Sequence, residues 1–131
     1  MTKQLEFYKC NVCGNLIQVL VSGNGELTCC DEQMKLIVAN SQENVKGEYH
    51  LPVKIIENEE EFIQVGEEKH PMTPEHHIEF IQAVSECGKK VFTYILEKDE
   101  IPQIKIDYKN FGKYKVKEHC NLHGLWENEL E

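Results

Sequence analysis

The 131-residue sequence lacks long apolar runs and is poor in positive charge. The N-terminal stretch Met1–Lys9 has no signal-peptide core, and no segment is apolar for long enough to span a bilayer. Lys and Arg together number 14 against 23 Asp and Glu, which gives a formal net charge of −9. Nucleic acid and anionic membranes attract basic surfaces. We therefore expect a soluble cytoplasmic protein with no nucleic-acid or membrane partner.

The distribution of residue types predicts two parts. Four of the six cysteines fall within residues 1–38, the stretch 39–47 is polar and aperiodic, and β-branched and aromatic residues recur in short segments after it. We predict a small metal-stapled module over 1–38, a linker over 39–47 and an all-β domain over 48–131, because pieces below about 40 residues rarely fold unaided. Strands are predicted at 53–57, 62–65, 90–96, 104–108 and 113–117, and a single helical turn at 74–76 is predicted to lead into a further strand.

The cysteines form one Cys-x-x-Cys pair, one adjacent pair and two single residues. They are Cys10, Cys13, Cys29, Cys30, Cys87 and Cys120. In a reducing compartment such residues are more often metal ligands than disulfides, and adjacent cysteines can bridge only through a strained ring. Asn24-Gly25 predicts a hairpin that brings the two pairs together. Four converging thiolates suit tetrahedral iron or zinc, and disulfides or inert thiols are the alternative.

Two segments around these cysteines resemble a known family of iron modules. Residues 8–15, Tyr-Lys-Cys-Asn-Val-Cys-Gly-Asn, and residues 27–34, Leu-Thr-Cys-Cys-Asp-Glu-Gln-Met, are similar to desulforedoxin. The resemblance implies an Fe(Cys)4 site held by Cys10, Cys13, Cys29 and Cys30.

Three further motifs resemble the catalytic domain of superoxide reductase. They are residues 48–52, Glu-Tyr-His-Leu-Pro, residues 70–76, His-Pro-Met-Thr-Pro-Glu-His, and residues 120–126, Cys-Asn-Leu-His-Gly-Leu-Trp. Together with the first module, the whole chain resembles the desulfoferrodoxin family, whose fold joins a desulforedoxin/rubredoxin-like module to an immunoglobulin-like β-sandwich. The implied ligands of the second iron, an Fe(His)4(Cys) centre, are His50, His70, His76, Cys120 and His123.

The resemblance also implies an activity. It is the one-electron, inner-sphere reduction of superoxide to hydrogen peroxide at the second iron, which a rubredoxin-like external donor then reduces again. Imidazole ligands suit ferrous iron, and an axial thiolate adds electron density to the metal, which is consistent with such chemistry. Glu48 is the implied sixth ligand of the oxidised iron, and a homodimer is expected by resemblance alone.

The chain departs from the family pattern at one position. Where the family has Glu-Lys-His, this sequence has Tyr49 between Glu48 and His50. Tyrosine donates a hydrogen bond but carries no positive charge near neutral pH. Lys46 or Lys69 could supply the missing charge or could simply be solvated, so we expect slower capture of superoxide than in a lysine-bearing relative.

Some residues near these motifs are expected to have no metal role. His77 and His119 adjoin proposed ligands, and neighbouring side chains of an extended chain point to opposite faces. Cys87, beside Gly88, falls in a predicted turn, and Trp126 is expected to pack near the iron pocket. The alternative function is a metal-binding or redox-sensing protein without catalysis, with a structural zinc or iron in its first module.

Overall fold

The structure is a computed structural model that describes residues 1–105 and 112–131. It divides into two compact units, Met1–Val38 and Ala39–Glu131. Across the described residues the regular elements are all β-strands, which confirms the predicted all-β class. No helix in this described part is long and apolar enough to cross a membrane.

The first unit contains five short strands. They are β1 (Phe7–Lys9), β2 (Leu16–Gln18), β3 (Thr28–Cys29), β4 (Glu32–Gln33) and β5 (Lys35–Ile37). The first three-stranded sheet has the order β2-β1-β5, and β3 pairs with β4 in a separate hairpin. Its buried apolar side chains are Phe7, Cys10 and Met34. A core of this size is too small to stabilise the unit alone, which favours a metal as its staple.

The hairpin predicted at Asn24-Gly25 is wrong. Strand β2 pairs with β1, and neither Asn24 nor Gly25 has the positive φ that a type I′ turn needs. Such a turn forms instead at Cys30 and Asp31, with φ of 54° and 61°, directly between the paired residues Cys29 and Glu32. The adjacent cysteines are therefore positioned by a turn that one of them helps to form.

In the residues that the structure describes, the second unit has seven strands in two antiparallel sheets. They are β6 (Pro52–Glu57), β7 (Glu60–Val65), β8 (Ile78–Ser85), β9 (Val91–Ile95), β10 (Gln103–Ile104), β11 (Tyr114–Cys120) and β12 (Gly124–Leu130). The sheet orders are β10-β7-β6 and β12-β11-β8-β9. Ile63 and Val65 of the first sheet share one buried cluster with Ile81, Ala83 and Val116 of the second. Alternate residues of both sheets thus form the core of a sandwich, as predicted.

Most of the strand predictions for this unit are confirmed. Segments 53–57 and 62–65 fall in β6 and β7, segment 90–96 contains β9, and segment 113–117 overlaps β11. Segment 104–108 begins in β10, but its residues 106–108 lie outside the described part of the chain. Gly88, with φ of 76°, lies in the turn from β8 to β9.

The helical turn predicted at 74–76 is wrong, because a tight turn takes its place. The backbone N–H of Thr73 donates to the carbonyl of His76 at 2.9 Å, and the Thr73 hydroxyl accepts from the His76 N–H at 3.0 Å. These bonds close the turn on itself and leave no helical ladder, and β8 begins two residues later at Ile78.

The stretch 39–47, predicted as a linker, belongs to the second unit. Asn40 forms a parallel bridge with Trp126, and its backbone N–H donates to the Leu125 carbonyl at 2.9 Å. The Glu43 carboxylate accepts hydrogen bonds from the backbone N–H groups of His50 and Leu51 at 2.7 and 3.0 Å. This stretch therefore helps to hold the His50 segment in place.

Candidate metal centres

The four cysteines of the first unit converge. Their sulfur atoms all lie within 4.8 Å of one another. The Cys13 and Cys29 sulfurs are 3.5 Å apart, and those of Cys29 and Cys30 are 3.9 Å apart. All four are free thiols, so the disulfide alternative finds no support here. Four sulfur donors at one point form the donor set of an Fe(Cys)4 or Zn(Cys)4 site.

The surroundings of this cluster favour a thiolate at Cys10. The backbone N–H of Cys13 donates to the Cys10 sulfur at 3.5 Å, and this bond is the main reason that the pKa of Cys10 falls to about 7. Sulfur contacts, first with Cys13, raise the pKa of Cys30 to about 12. The pKa values of these neighbouring thiols therefore depend on one another. A bound cation would favour their thiolate forms and release their protons.

Five predicted ligands of the second site come from three connections at one end of the sandwich. His50 lies just before β6, His70 and His76 lie between β7 and β8, Cys120 ends β11, and His123 lies in the loop to β12. Gly124, with φ of 84°, closes this three-residue loop opposite Cys120. Because these strands are antiparallel, the ends of β7 and β11 lie beside the starts of β6, β8 and β12.

The four imidazole rings follow one another around a closed circuit. Ring centroids are 4.7 Å apart for His50 and His70, 4.6 Å for His70 and His76, 5.3 Å for His76 and His123, and 5.0 Å for His123 and His50. The Nε2 atoms of His50 and His70 are only 3.1 Å apart. Four imidazoles around one point could together hold a single metal ion.

A thiol completes this donor set. The Cys120 sulfur lies 3.8 Å from Nδ1 of His123. It also forms a cluster with His50, His70 and His76 in which every ligand atom is within 4.8 Å of the others. The sequence-predicted set of four histidines and one cysteine is therefore brought together.

Burial shifts the pKa values of several of these proposed ligands. His50 is fully buried, and this burial lowers its pKa to about 4. Burial likewise lowers the pKa of His70 and raises that of Cys120. The Nε2 atom of His76 is buried and has no hydrogen-bond partner among residues 1–105 and 112–131, which is costly unless a metal or another group satisfies it. The neutral imidazoles are ready ligands, and a bound cation would favour the Cys120 thiolate.

The Glu48 carboxylate faces three of the imidazoles. Its oxygens lie 3.2 Å from His123 Nδ1, 3.5 Å from His76 Nδ1 and 3.8 Å from His50 Nε2. Glu48 forms a second, overlapping cluster with these histidines that does not include Cys120. The carboxylate therefore borders the imidazoles, and its role as a ligand stays a prediction.

Hydrogen bonds from surrounding groups orient the rings. His70 Nδ1 lies 2.8 Å from the Pro71 carbonyl, which assigns the proton to Nδ1 and leaves Nε2 free to bind a metal. The Trp126 indole stacks on His50 at 4.5 Å with an interplanar angle of 11°, and its N–H donates to the His123 carbonyl at 3.1 Å. Trp126 therefore packs at the site, as predicted, and supports two of the ligands.

Sequence reasoning gave no role to Asn121 or Glu43, and it missed Glu118. The Glu118 side chain is fully buried, its carboxylate oxygens have no hydrogen-bond partner among the described residues, and burial raises its pKa well above the ordinary value. Strand β11 places Glu118 on the same face as Val116 and Cys120. A sequence signal was present, since this glutamate interrupts the apolar face of a strand.

The residues that were expected to have no metal role lie outside both clusters. His77 Nδ1 is 2.9 Å from the Thr73 carbonyl, and His119 Nδ1 is 2.6 Å from the Glu79 carboxylate. Cys87 lies in the turn from β8 to β9. Hydrogen bonds with other partners therefore account for both of these histidines.

Tyr49 borders the site but is 36% exposed. Its backbone lies tightly against Gly66, where an added Cβ would be 2.5 Å from the Tyr49 carbonyl oxygen. Lys46 and Lys69 are exposed. Whether either of them replaces the lysine missing at position 49 stays a prediction.

The sequence matches two family models that together cover most of the chain. Residues 2–37 match the desulfoferrodoxin N-terminal domain, and residues 40–129 match desulfoferrodoxin. A desulfoferrodoxin of Syntrophotalea carbinolica is 38% identical over 129 residues, which cover 98% of this chain and 99% of that protein. A superoxide reductase of Pyrococcus furiosus is 36% identical over 110 residues, covering 65% of this chain and 89% of that protein.

A solved structure shares the fold. The superoxide reductase of Treponema pallidum superposes with a TM-score of 0.67 over 98% of this chain and 99% of that chain, at 23% identity. At this identity the similarity concerns the fold. The family-model matches and the full-length relative show that the chain belongs to the desulfoferrodoxin family.

Proposed function

We propose that this protein is a superoxide reductase that converts superoxide to hydrogen peroxide by one-electron reduction. The observation that carries the proposal is the closed circuit of four imidazoles with the Cys120 thiol beside it. When bound in such a set, iron supplies the electron, and thiolate ligation favours its transfer to an oxygen species.

Four imidazole ligands would come from His50, His70, His76 and His123, and Cys120 would supply the thiolate ligand. The positions of these residues in the fold support the assignment, because all five lie near strand ends at one end of the sandwich. Burial of His50, His70 and Cys120 excludes water from the inner side of the site. The more exposed His123 and His76 border the side from which a small anion can enter.

Glu48 is proposed to act at this open side of the site. Its carboxylate lies within 3.2–3.8 Å of three imidazoles, so it would be able to serve as a further ligand of an oxidised iron. Tyr49 follows directly in the sequence, and its phenol is a neutral proton donor at the position of the family's lysine. Lys69 or Lys46 would add the positive charge that attracts superoxide.

The other iron, in an Fe(Cys)4 centre, is proposed to be held by Cys10, Cys13, Cys29 and Cys30. This site would mainly stabilise a unit with three buried apolar side chains, and electron relay is the alternative role. We further propose a rubredoxin-like electron donor, a homodimer, a cytoplasmic location suited to free thiols, and domains over 1–38 and 48–131 joined by 39–47.

Replacement of the Cys120 thiol tests the function. Cys120→Ser should abolish the visible thiolate-to-ferric absorption and slow peroxide formation from superoxide by at least about a hundredfold, because the electron-donating ligand is lost. Cys87→Ser, at a cysteine outside both clusters, is the matched control and should change neither property. A Cys120→Ser protein that reduces superoxide at the wild-type rate would contradict the proposal.

A further inference from the structure

The segment that leads into β6 forms a loop that one side chain closes. One oxygen of the Glu43 carboxylate accepts a hydrogen bond from the backbone N–H of His50 at 2.7 Å, and the other oxygen accepts from the Leu51 N–H at 3.0 Å. Hydrogen bonds from backbone N–H groups to a carboxylate are charge-assisted and roughly twice as strong as those between neutral groups. We call residues 43–51 the Glu48 loop, because Glu48 lies inside the ring that these bonds close.

The second end of this loop is also held from another direction. The Gly66 N–H donates to the Leu51 carbonyl at 3.1 Å. A Cβ added at Gly66 would lie 2.5 Å from the Tyr49 carbonyl oxygen, so the chain that follows β7 lies directly against the loop. Glu43 and the Gly66 segment therefore fix residues 49–51 between them.

The middle of the loop carries Glu48 to the imidazoles. The Glu48 N–H donates to the Val45 carbonyl at 3.2 Å, which is a bond within the loop. The Glu48 side chain is 22% exposed, and its oxygens lie 3.2 Å from His123 Nδ1 and 3.5 Å from His76 Nδ1. The position of this carboxylate therefore depends on a loop whose two ends are tied together by Glu43.

The two bonds at position 43 require a carboxylate. Each bond uses a different oxygen of Glu43. A glutamine of the same size has one acceptor oxygen, and its NH2 group would face a backbone N–H, which is also a donor. Glu43→Gln should therefore lose one hydrogen bond, set a donor against a donor and let the loop open more often.

We propose that Glu43 is a positioning residue for the iron site, because it closes the Glu48 loop and so holds the Glu48 carboxylate beside the imidazoles. This inference rests on the proposed function, in which Glu48 serves as a further ligand of an oxidised iron. A closed loop presents Glu48 at a high effective concentration, so an external anion must compete with it. Glu43 thus controls how readily a small anion binds at the open side, and it acts only through Glu48.

Azide binding to the ferric, iron-loaded protein measures this competition through the visible spectrum. Glu43→Gln should bind azide at least about fivefold more tightly than wild type, because a lost hydrogen bond weakens the competitor by about that factor. Glu48→Ala removes the competitor and should bind azide more tightly still. Adding Glu43→Gln to Glu48→Ala should change nothing further, whereas independent effects would add. Glu61→Gln, at an exposed position of β7, is the matched control and should keep the wild-type affinity.

Hydrogen–deuterium exchange of the same iron-loaded protein tests the loop closure itself. The backbone amides of His50 and Leu51 should exchange at least about tenfold faster in Glu43→Gln than in wild type. Glu43→Asp keeps two acceptor oxygens and should stay closer to wild type in both measurements. Iron content and far-UV circular dichroism check that each variant is folded and loaded.

Unchanged exchange in Glu43→Gln would overturn the loop closure, and unchanged azide affinity would overturn its effect on the site. An equal gain in azide affinity with and without Glu48 would overturn the inference, since Glu43 would then not act through Glu48. If Glu48→Ala alone left azide binding unchanged, the proposed ligand role of Glu48 and this inference would both fail. Azide results as expected in a protein that does not reduce superoxide would overturn the proposed function and leave the role of Glu43 standing.

Discussion

The side-chain oxygen of Asn121 accepts a hydrogen bond from the backbone N–H of His77 at 2.8 Å. The amide nitrogen of the same side chain donates to the Glu75 carbonyl at 3.0 Å, and the backbone N–H of Asn121 donates to the His77 carbonyl at 3.1 Å. These bonds hold the chain on both sides of His76. The residue directly after the proposed cysteine ligand thus fixes the backbone of a proposed histidine ligand.

Loss of the Asn121 side-chain hydrogen bonds should weaken metal binding. Asn121→Ala removes both side-chain bonds, and outer residues that orient ligands typically contribute 10–100-fold to metal affinity. We expect a loss of about that size in competition with a chelator for ferrous iron. Leu122→Ala, at a 59% exposed position of the same loop, is the control. Equal losses for the two variants would show that Asn121 has no special role.

Gly66 should be intolerant of a side chain because of its contact with the Tyr49 segment. Its φ is +85°, and an added Cβ would lie 2.5 Å from the carbonyl oxygens of both Glu68 and Tyr49. Gly47 has a similar φ of +80° but nothing within 4 Å. Gly47→Ala should therefore show only the backbone strain, about 1–3 kcal/mol, and Gly66→Ala should lose more in urea unfolding of the iron-free protein. Similar losses for both would mean that the close approach to Tyr49 is not a constraint.

Several strands could be predicted from the sequence, whereas one turn and the contacts of Asn121 could not. Alternating β-formers such as 113–117 identify strands because a half-buried strand has period two. The turn at Cys30 and Asp31 was missed because a cysteine is an unusual residue for positive φ, whereas Asn24-Gly25 is a usual one. Local pattern also could not show that Asn121 contacts Glu75, since the bond joins residues 46 positions apart.

Cys87 should be the most reactive thiol of the iron-loaded protein. The hydroxyl of Ser85, 3.4 Å from its sulfur, is the main cause of a pKa below the ordinary value of 9.0. A lowered thiol pKa means that the reactive thiolate is present at lower pH. Iodoacetamide labelling followed by mass spectrometry should give a lower midpoint at Cys87 than for free cysteine under the same conditions, and Ser85→Ala should move it upward.

The same labelling experiment reports on the first metal site. Cys13 and Cys30 are exposed yet should resist alkylation while iron is bound, because a coordinated sulfur is a poor nucleophile. Removal of the iron under anaerobic conditions should expose both to the reagent. Fast labelling of Cys13 in the loaded protein would contradict its role as a ligand.

Tyr49→Lys should accelerate the capture of superoxide. The substitution adds a positive charge beside His50 at a position that is 36% exposed, so it should attract an anion without disturbing the core. Pulse radiolysis across ionic strength should show a faster second-order rate that falls more steeply with added salt than in wild type. Tyr49→Phe is the uncharged control. An unchanged rate in Tyr49→Lys would mean that other groups, such as Lys69, already supply the charge.

The stoichiometry of the superoxide reaction tests the central claim most directly. Protein with both sites reduced, at two irons per chain, would be titrated anaerobically with superoxide while hydrogen peroxide and dioxygen are measured. The account predicts one peroxide for each superoxide consumed at the His4Cys site, with no dioxygen formed. Release of dioxygen with half the peroxide would indicate dismutation, and failure to consume superoxide would indicate a metal-binding protein without this activity; either result would contradict the account.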